Sequence, residues 1–158
     1  MKSAHLVKLS VFSKEEDSEA DVLKSFLSLV PFNLEEEKLQ LKTSTAEGFE
    51  HKKIRVFELT LTKEKHTTKF LESLISRLND DQKRLILNQA ESRLDEDLNF
   101  FMRLDKDKLL EKNEYFITQS GNCFHLKMHI ASFPAKRQNA MEVLRGFLGK
   151  TISSQQLF

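Results

Sequence analysis

From Phe124 to Ile130 every second residue is apolar, Phe124, Leu126, Met128 and Ile130, while His125, Lys127 and His129 between them are polar or cationic. Successive side chains of a strand point to opposite faces, so this segment offers one face to a core and the other to water. A parallel sheet is covered on both faces and its strands read as continuous apolar runs. The alternation therefore calls for a sheet with one open face, antiparallel or mixed.

The other periodic segments agree. Val7, Leu9 and Val11 alternate with Leu6, Lys8, Ser10 and Phe12; Leu39 to Thr45 and Ile54 to Leu61 read as a hairpin turning at Gly48; Phe100, Met102 and Leu104 mark a further strand, and Tyr115 to Thr118 another. Ser18 with Asp21, and Asn79 with Gln82, have the spacing of helix caps. They introduce helical patterns through Val22 to Val30, ended by Pro31, and through Leu85 to Leu94. Phe70 to Leu78 predicts a helix between them, Asp105 to Lys112 a short one, and Ala140 to Leu148 a last one, with Pro134 in its first turn. The order βαββααβαββα contains no run of βαβ crossovers. It predicts an α+β fold, a sheet of five to six strands with helices packed on one face. With 4 Gly and 2 Pro and no linker, residues 1–150 are expected to form one domain and 151–158 a tail.

One cysteine, Cys123, excludes a disulfide framework and suits a reducing cytoplasm, and no apolar run is long enough to span a bilayer. The formal net charge is +1, but residues 1–50 hold 6 Lys/Arg against 10 Asp/Glu whereas residues 115–158 hold 5 against 1. The C-terminal third is the end that would attract a polyanion.

Catalytic chemistry leaves no trace of comparable strength. The isolated glycines form no phosphate loop, and Cys123 with His125 reads more simply as a small buried thiol than as a nucleophile and base. His125 and His129 share a strand face, but four residues of strand separate them by about 13 Å, too far for one zinc ion. No enzyme, metal or cofactor is expected. What remains is a surface: Lys38, Gln40 and Lys42 on one strand, Asn99, Phe101 and Arg103 on a second, and His125, Lys127 and His129 on a third. Cations track phosphates, aromatic and guanidinium planes stack on bases, and amides read base edges, so such a face suits RNA. An ordinary solvated sheet face has the same pattern. Lys136 and Arg137 stand where the last helix begins, at the positive pole of its dipole; an anion bound by free N–H groups would resolve the conflict, and a solvated pair would need none.

Three stretches, Val7 to Phe12, Phe101 to Lys106 and Phe133 to Arg137, resemble the archaeal family described as predicted exosome-associated RNA-binding proteins, itself similar in fold to the 5S rRNA-binding ribosomal protein. The resemblance covers nearly the whole chain. It implies a noncatalytic RNA-binding protein, an accessory to RNA processing or degradation, with structured or ribosomal RNA and exosome or other processing proteins as partners. It adds Lys106 to the expected RNA contacts, which become Phe101, Arg103, Lys106, Lys127, His129, Lys136 and Arg137. The alternative is an adaptor or homodimerisation module that docks on a processing complex without touching RNA, consistent with the weak net charge.

Overall fold

The structure, a computed structural model, describes residues 2–149. The tail expected over residues 151–158 lies outside them. The chain order is β1 (Ala4–Ser13), α1 (Glu19–Leu27), β2 (Lys42–Glu47), β3 (Lys53–Leu61), α2 (Glu64–Arg77), α3 (Asp80–Asn88), α4 (Ala90–Arg93), β4 (Asn99–Asp105), α5 (Lys106–Lys112), β5 (Cys123–Ile130) and α6 (Arg137–Gly149). The strands form one open antiparallel sheet in the order β2-β3-β1-β5-β4, and the fold is α+β.

Contacts divide the chain into two compact units. The first holds the residues up to Val7, Leu61–Met102 and those from Lys127 onward; the second holds Lys8–Thr60 and Arg103–Leu126. In the first unit α6 packs on α3 and α4, and Phe70, Leu74, Ile86 and Leu144 from the helices are buried together with Phe100, Met102, Met128 and Ile130 from the strands. In the second unit α1 packs on α5, and Phe26 lies against Phe124 and Phe57 at ring separations of 6.5 and 6.4 Å. The strand residues in both cores are the apolar partners of the alternation. Each fully buried residue of this size contributes about 1.5–3 kcal/mol by leaving water.

Local chemistry accounts for most element boundaries. Ser18 Oγ accepts from the amide of Asp21, Asn79 Oδ1 from that of Gln82 at 2.8 Å, and Asp105 Oδ1 from that of Lys108 at 3.0 Å. Asn113 ends α5 in the left-handed region, φ 53°, a conformation Asn tolerates better than most residues. α1 stops at Leu27 rather than running on to Val30: the amides of Leu29 and Val30 bond back three residues, to Phe26 and Leu27, tightening the last turn.

Three expectations are corrected. The strand foreseen over Tyr115–Thr118 is an extended segment with a single bridge, Leu104 to Ile117, flanked by bonds from Asp105 N to Phe116 O and from Thr118 N to Arg103 O. It is too short for a ladder, yet it covers that part of the outer edge of β4, a common way of blunting a sheet edge. β2 begins at Lys42, leaving Lys38, at φ 57°, and Gln40 in the preceding loop. All its residues are exposed and it pairs only with β3, with Lys42 opposite Glu58 and Thr45 opposite Arg55. Finally, Pro134 lies ahead of α6, its carbonyl accepting from Lys136 N and from Asn139 Nδ2 at 2.9 Å, and the helix starts at Arg137.

Candidate nucleic-acid interface

On the half-exposed side of the first unit stand Asn99 and Phe101 of β4 and Lys127 and His129 of β5. Phe101 is 43% exposed between Phe100 and Met102, which are at most 1% exposed. An aromatic ring held out by a strand whose other face lies in a core offers a flat surface for stacking. Beside this strand a short relay orients an imidazole. Asp95 accepts from the amides of Asn99 and Asp97 at 2.8 and 2.9 Å and from Asn99 Nδ2 at 3.4 Å. A carboxylate only accepts, so it turns the NH2 end of Asn99 toward itself and the Oδ1 end toward His129 Nδ1, 3.2 Å away. His129 therefore donates from Nδ1 and keeps Nε2 as a free acceptor when neutral, suited to a ribose hydroxyl or a base N–H. The Asn99 amide hydrogen bond, with smaller help from the Asn99 side chain, Asp97 and the Lys127 charge, outweighs burial and holds the Asp95 carboxyl below its ordinary value. His5 packs tilted on His129 at 5.7 Å; burial first, then Lys2 and His129, lower its pKa.

In the second unit the corresponding residues are Lys8 and Phe12 of β1, Glu58 of β3, Arg103 of β4 and Cys123 and His125 of β5. Arg103 is exposed and donates to the Gln119 carbonyl at 3.0 Å. Phe12, 44% exposed, meets His125 edge to face at 6.0 Å, and Lys8 pairs with Glu58 at 3.2 Å. Burial, and then the Arg103 charge, pushes the His125 pKa down, so the ring is neutral near pH 7. Cys123 is 2% exposed with Sγ 3.6 Å from His125 Nε2, and burial pushes its thiol up, which opposes thiolate formation. The exposed aromatic Phe12 belongs to the polar side of the first alternation in the sequence, where it could have been read. The Asp95–Asn99–His129 relay could not, since its last step joins residues 30 apart.

The remaining expected contacts divide. Lys106 is corrected outright: it is 3% exposed, and its Nζ donates to the Phe12 carbonyl at 2.6 Å and to Asp17 at 2.7 Å. It closes the second unit internally and presents nothing to a ligand. Arg137 is spent as well. Its Nη1 donates to Leu94 O at 2.8 Å, and its Nη2 to Glu91 O at 2.5 Å and to the Glu91 carboxylate at 3.1 Å. A cation at the wrong end of its own helix is thus at the right end of another, satisfying carbonyls where α4 finishes. Lys136 remains exposed, its carbonyl accepting from Ala140 N. Among the described residues no cluster of His, Cys, Asp and Glu could hold a metal ion, and no helix is long and apolar enough to cross a membrane.

The open antiparallel sheet thus carries aromatic, cationic, amide and imidazole side chains among its half-exposed residues. The chain belongs to the family described as RNA binding, whose family model matches residues 6–130. It is 23% identical over 145 residues, 92% of this chain and 94% of the relative, to the RNA-binding protein PAB1135 of Pyrococcus abyssi. Among solved structures it is similar to protein AF2318 from Archaeglobus fulgidus, at 26% identity and a TM-score of 0.79 over 91% of this chain and 99% of that one. It is also similar to Mth689, a DUF54 protein from Methanothermobacter thermautotrophicus, at 25% identity and a TM-score of 0.75 over 92% and 98% of the two chains.

Proposed function

We propose that the protein binds RNA without chemical conversion, through the half-exposed face of its sheet, and that unpaired bases are the element it grips. The observation that carries this reading is Phe101, exposed on a strand whose alternate residues are immobilised in the core. Bases from a loop or single strand stack on Phe101, while Lys127 takes a phosphate and His129 Nε2, oriented by Asn99, reads a ribose or base edge. Arg103 serves the same purpose on its own unit, and Lys136 supplies a peripheral phosphate contact. Membership in the family, together with the name of the Pyrococcus relative, supports RNA as the ligand.

Filter binding of a single-stranded oligoribonucleotide and of a stem-loop, each over a salt series, tests the proposal. Phe101→Ala is expected to weaken binding roughly 5- to 150-fold, the equivalent of about 1–3 kcal/mol of lost stacking. Lys127→Ala should lower the slope of log K against log salt by about 0.7, one phosphate contact on a single strand. Unchanged affinity and slope in both variants would remove the sheet face as the site. The finer role, an accessory to RNA processing or degradation alongside exosome proteins, follows from the family resemblance. It is checked by co-purification with exosome subunits before and after nuclease treatment, and loss of every subunit in both conditions would dismiss it.

A further inference from the structure

A groove of about 960 Å³ opens in the first unit between α2 and α6. Leu71 and Ile75 of α2 face Val143 and Phe147 of α6 across it, giving apolar walls. Three observations say that it is built to receive something. Gly146, inside α6, lines the groove; among the described residues a Cβ there would meet nothing within 4 Å, and no glycine has positive φ. Neither packing among the described residues nor backbone conformation calls for glycine at a helical position where it weakens the helix, and its missing side chain lets another backbone approach this wall of the groove closely. Lys83 of α3, 5% exposed, also lines the groove, and its ion pair with Asp80 is 3.9 Å long, beyond hydrogen-bond reach. Among the described residues no closer acceptor meets this amino group, which leaves it open to a carboxylate from outside. The buried Oγ of Ser132, a third lining group, has no hydrogen-bond partner among the described residues.

The rim is not made for RNA. Glu72 and Glu142, both exposed, stand on opposite helices at the groove and offset the lining cations Lys2 and Lys83, which leaves no surplus of positive charge for phosphates. With 14 and 13 residues, α2 and α6 are each about 20 Å long, the length of a helix of three to four turns laid between them. We propose that the groove is a docking site for an amphipathic helix of a second protein. That helix carries an apolar stripe for the walls, a carboxylate near its centre for Lys83 and basic residues beside the stripe for Glu72 and Glu142.

The test is a displayed library of 14-residue helix-forming peptides, selected on the full chain. Enriched peptides are expected to carry one central Asp or Glu, to bind Lys83→Met and Gly146→Leu at least tenfold more weakly, and to leave RNA affinity unaltered. Gly146→Leu places a side chain in open space, so its failure to bind cannot be ascribed to misfolding if its melting temperature is kept. Gly146→Ala should raise Tm by about 1–3 °C through helix propensity and yet weaken peptide binding several-fold. The absence of enrichment, enrichment without an acidic preference, or full binding to Gly146→Leu overturns the proposal. Selection only by a chain carrying Ile152→Ser, Leu157→Ser and Phe158→Ser would assign the groove to the chain's own last residues and overturn it as well.

Discussion

Asp17→Ala is expected to cost more stability than Lys106→Met, although both remove the same ion pair. Lys106 Nζ lies 2.7 Å from Asp17 Oδ2 and 2.6 Å from the Phe12 carbonyl, and the two side chains are 4% and 27% exposed. Taking away Asp17 leaves a charge almost wholly out of water with one neutral acceptor, and breaking a buried pair in this way costs about 3–5 kcal/mol. Taking away the amino group leaves a carboxylate that still accepts from the Lys14 amide at 2.9 Å and whose open quarter water can reach; the unpaired Phe12 carbonyl makes the loss about 1–2 kcal/mol. At about 2–4 °C per kcal/mol for a chain of this size, Tm falls by roughly 6–20 °C in the first variant and 2–8 °C in the second. The double variant Asp17→Ala, Lys106→Met should recover most of the difference. Urea unfolding at pH 7 measures all three, and RNA binding of Lys106→Met should match the natural chain. A larger loss for Lys106→Met than for Asp17→Ala, or a stable Lys106→Met with impaired RNA binding, would refute the internal role. The pH dependence has a definite sign. Burial alone would raise the Asp17 carboxyl, but the hydrogen bonds from Lys106 and Lys14 and their charges outweigh it and hold it below its ordinary value. Its stabilisation is present above about pH 4 and is lost as pH falls through the folded value, so the gap between Asp17→Ala and the natural chain narrows in acid.

Arg137→Ala should lower stability by about 1–2 kcal/mol, because carbonyls of Glu91 and Leu94 lose their donor, while changing RNA affinity little; Lys136→Ala should leave stability unaltered, and urea unfolding separates the two. His125 has a lowered folded pKa, so the unfolded chain binds the extra proton first and stability falls as pH drops below about 6.5; a pH series of unfolding midpoints on the natural chain and His125→Gln reads this, and equal profiles would discard it. Cys123, buried with its thiol pushed up, should react with iodoacetamide far more slowly in the native protein than in urea, and Cys123→Ser should keep full RNA affinity.

What the chain declares about itself follows from how far each interaction reaches. The caps at Ser18 and Asn79 act over three residues, and the one-sided strands at Phe100–Leu104 and Phe124–Ile130 over two, so both are legible in sequence and both are present. Face assignment survives with them: Phe101, Lys127 and His129 stand on the half-exposed side as the alternation requires. Tyr115–Thr118 misleads because β-branched and aromatic content marks a segment fit for a sheet, whereas a ladder also needs length opposite it. Lys106 misleads for a different reason. The family resemblance makes it an expected contact and a lysine is ordinarily solvated, and only Asp17, 89 residues away in the chain, makes burial of its charge tolerable. Arg137 likewise depends on α4, 43 to 46 residues earlier.

These long-range uses also explain how a chain with a net charge of +1 can belong to an RNA-binding family. Lys106 pairs with Asp17, Arg137 with Glu91, Lys8 with Glu58 and Arg55 with Glu19, so these cations serve the fold and not a phosphate. On the proposed reading, binding rests on stacking and on oriented polar groups, the parts assigned to Phe101 and the Asn99–His129 pair. Single-stranded or looped RNA should then be preferred over a continuous duplex, whose bases are already stacked and whose phosphates alone are on offer. The slope of log K against log salt should be shallow, about one to two, in place of the six or more of a protein that tracks a backbone. A steep slope with equal affinity for duplex and single strand would mean that the cations, and not the aromatic face, do the binding, and would send the search to Lys136 and the surface around it.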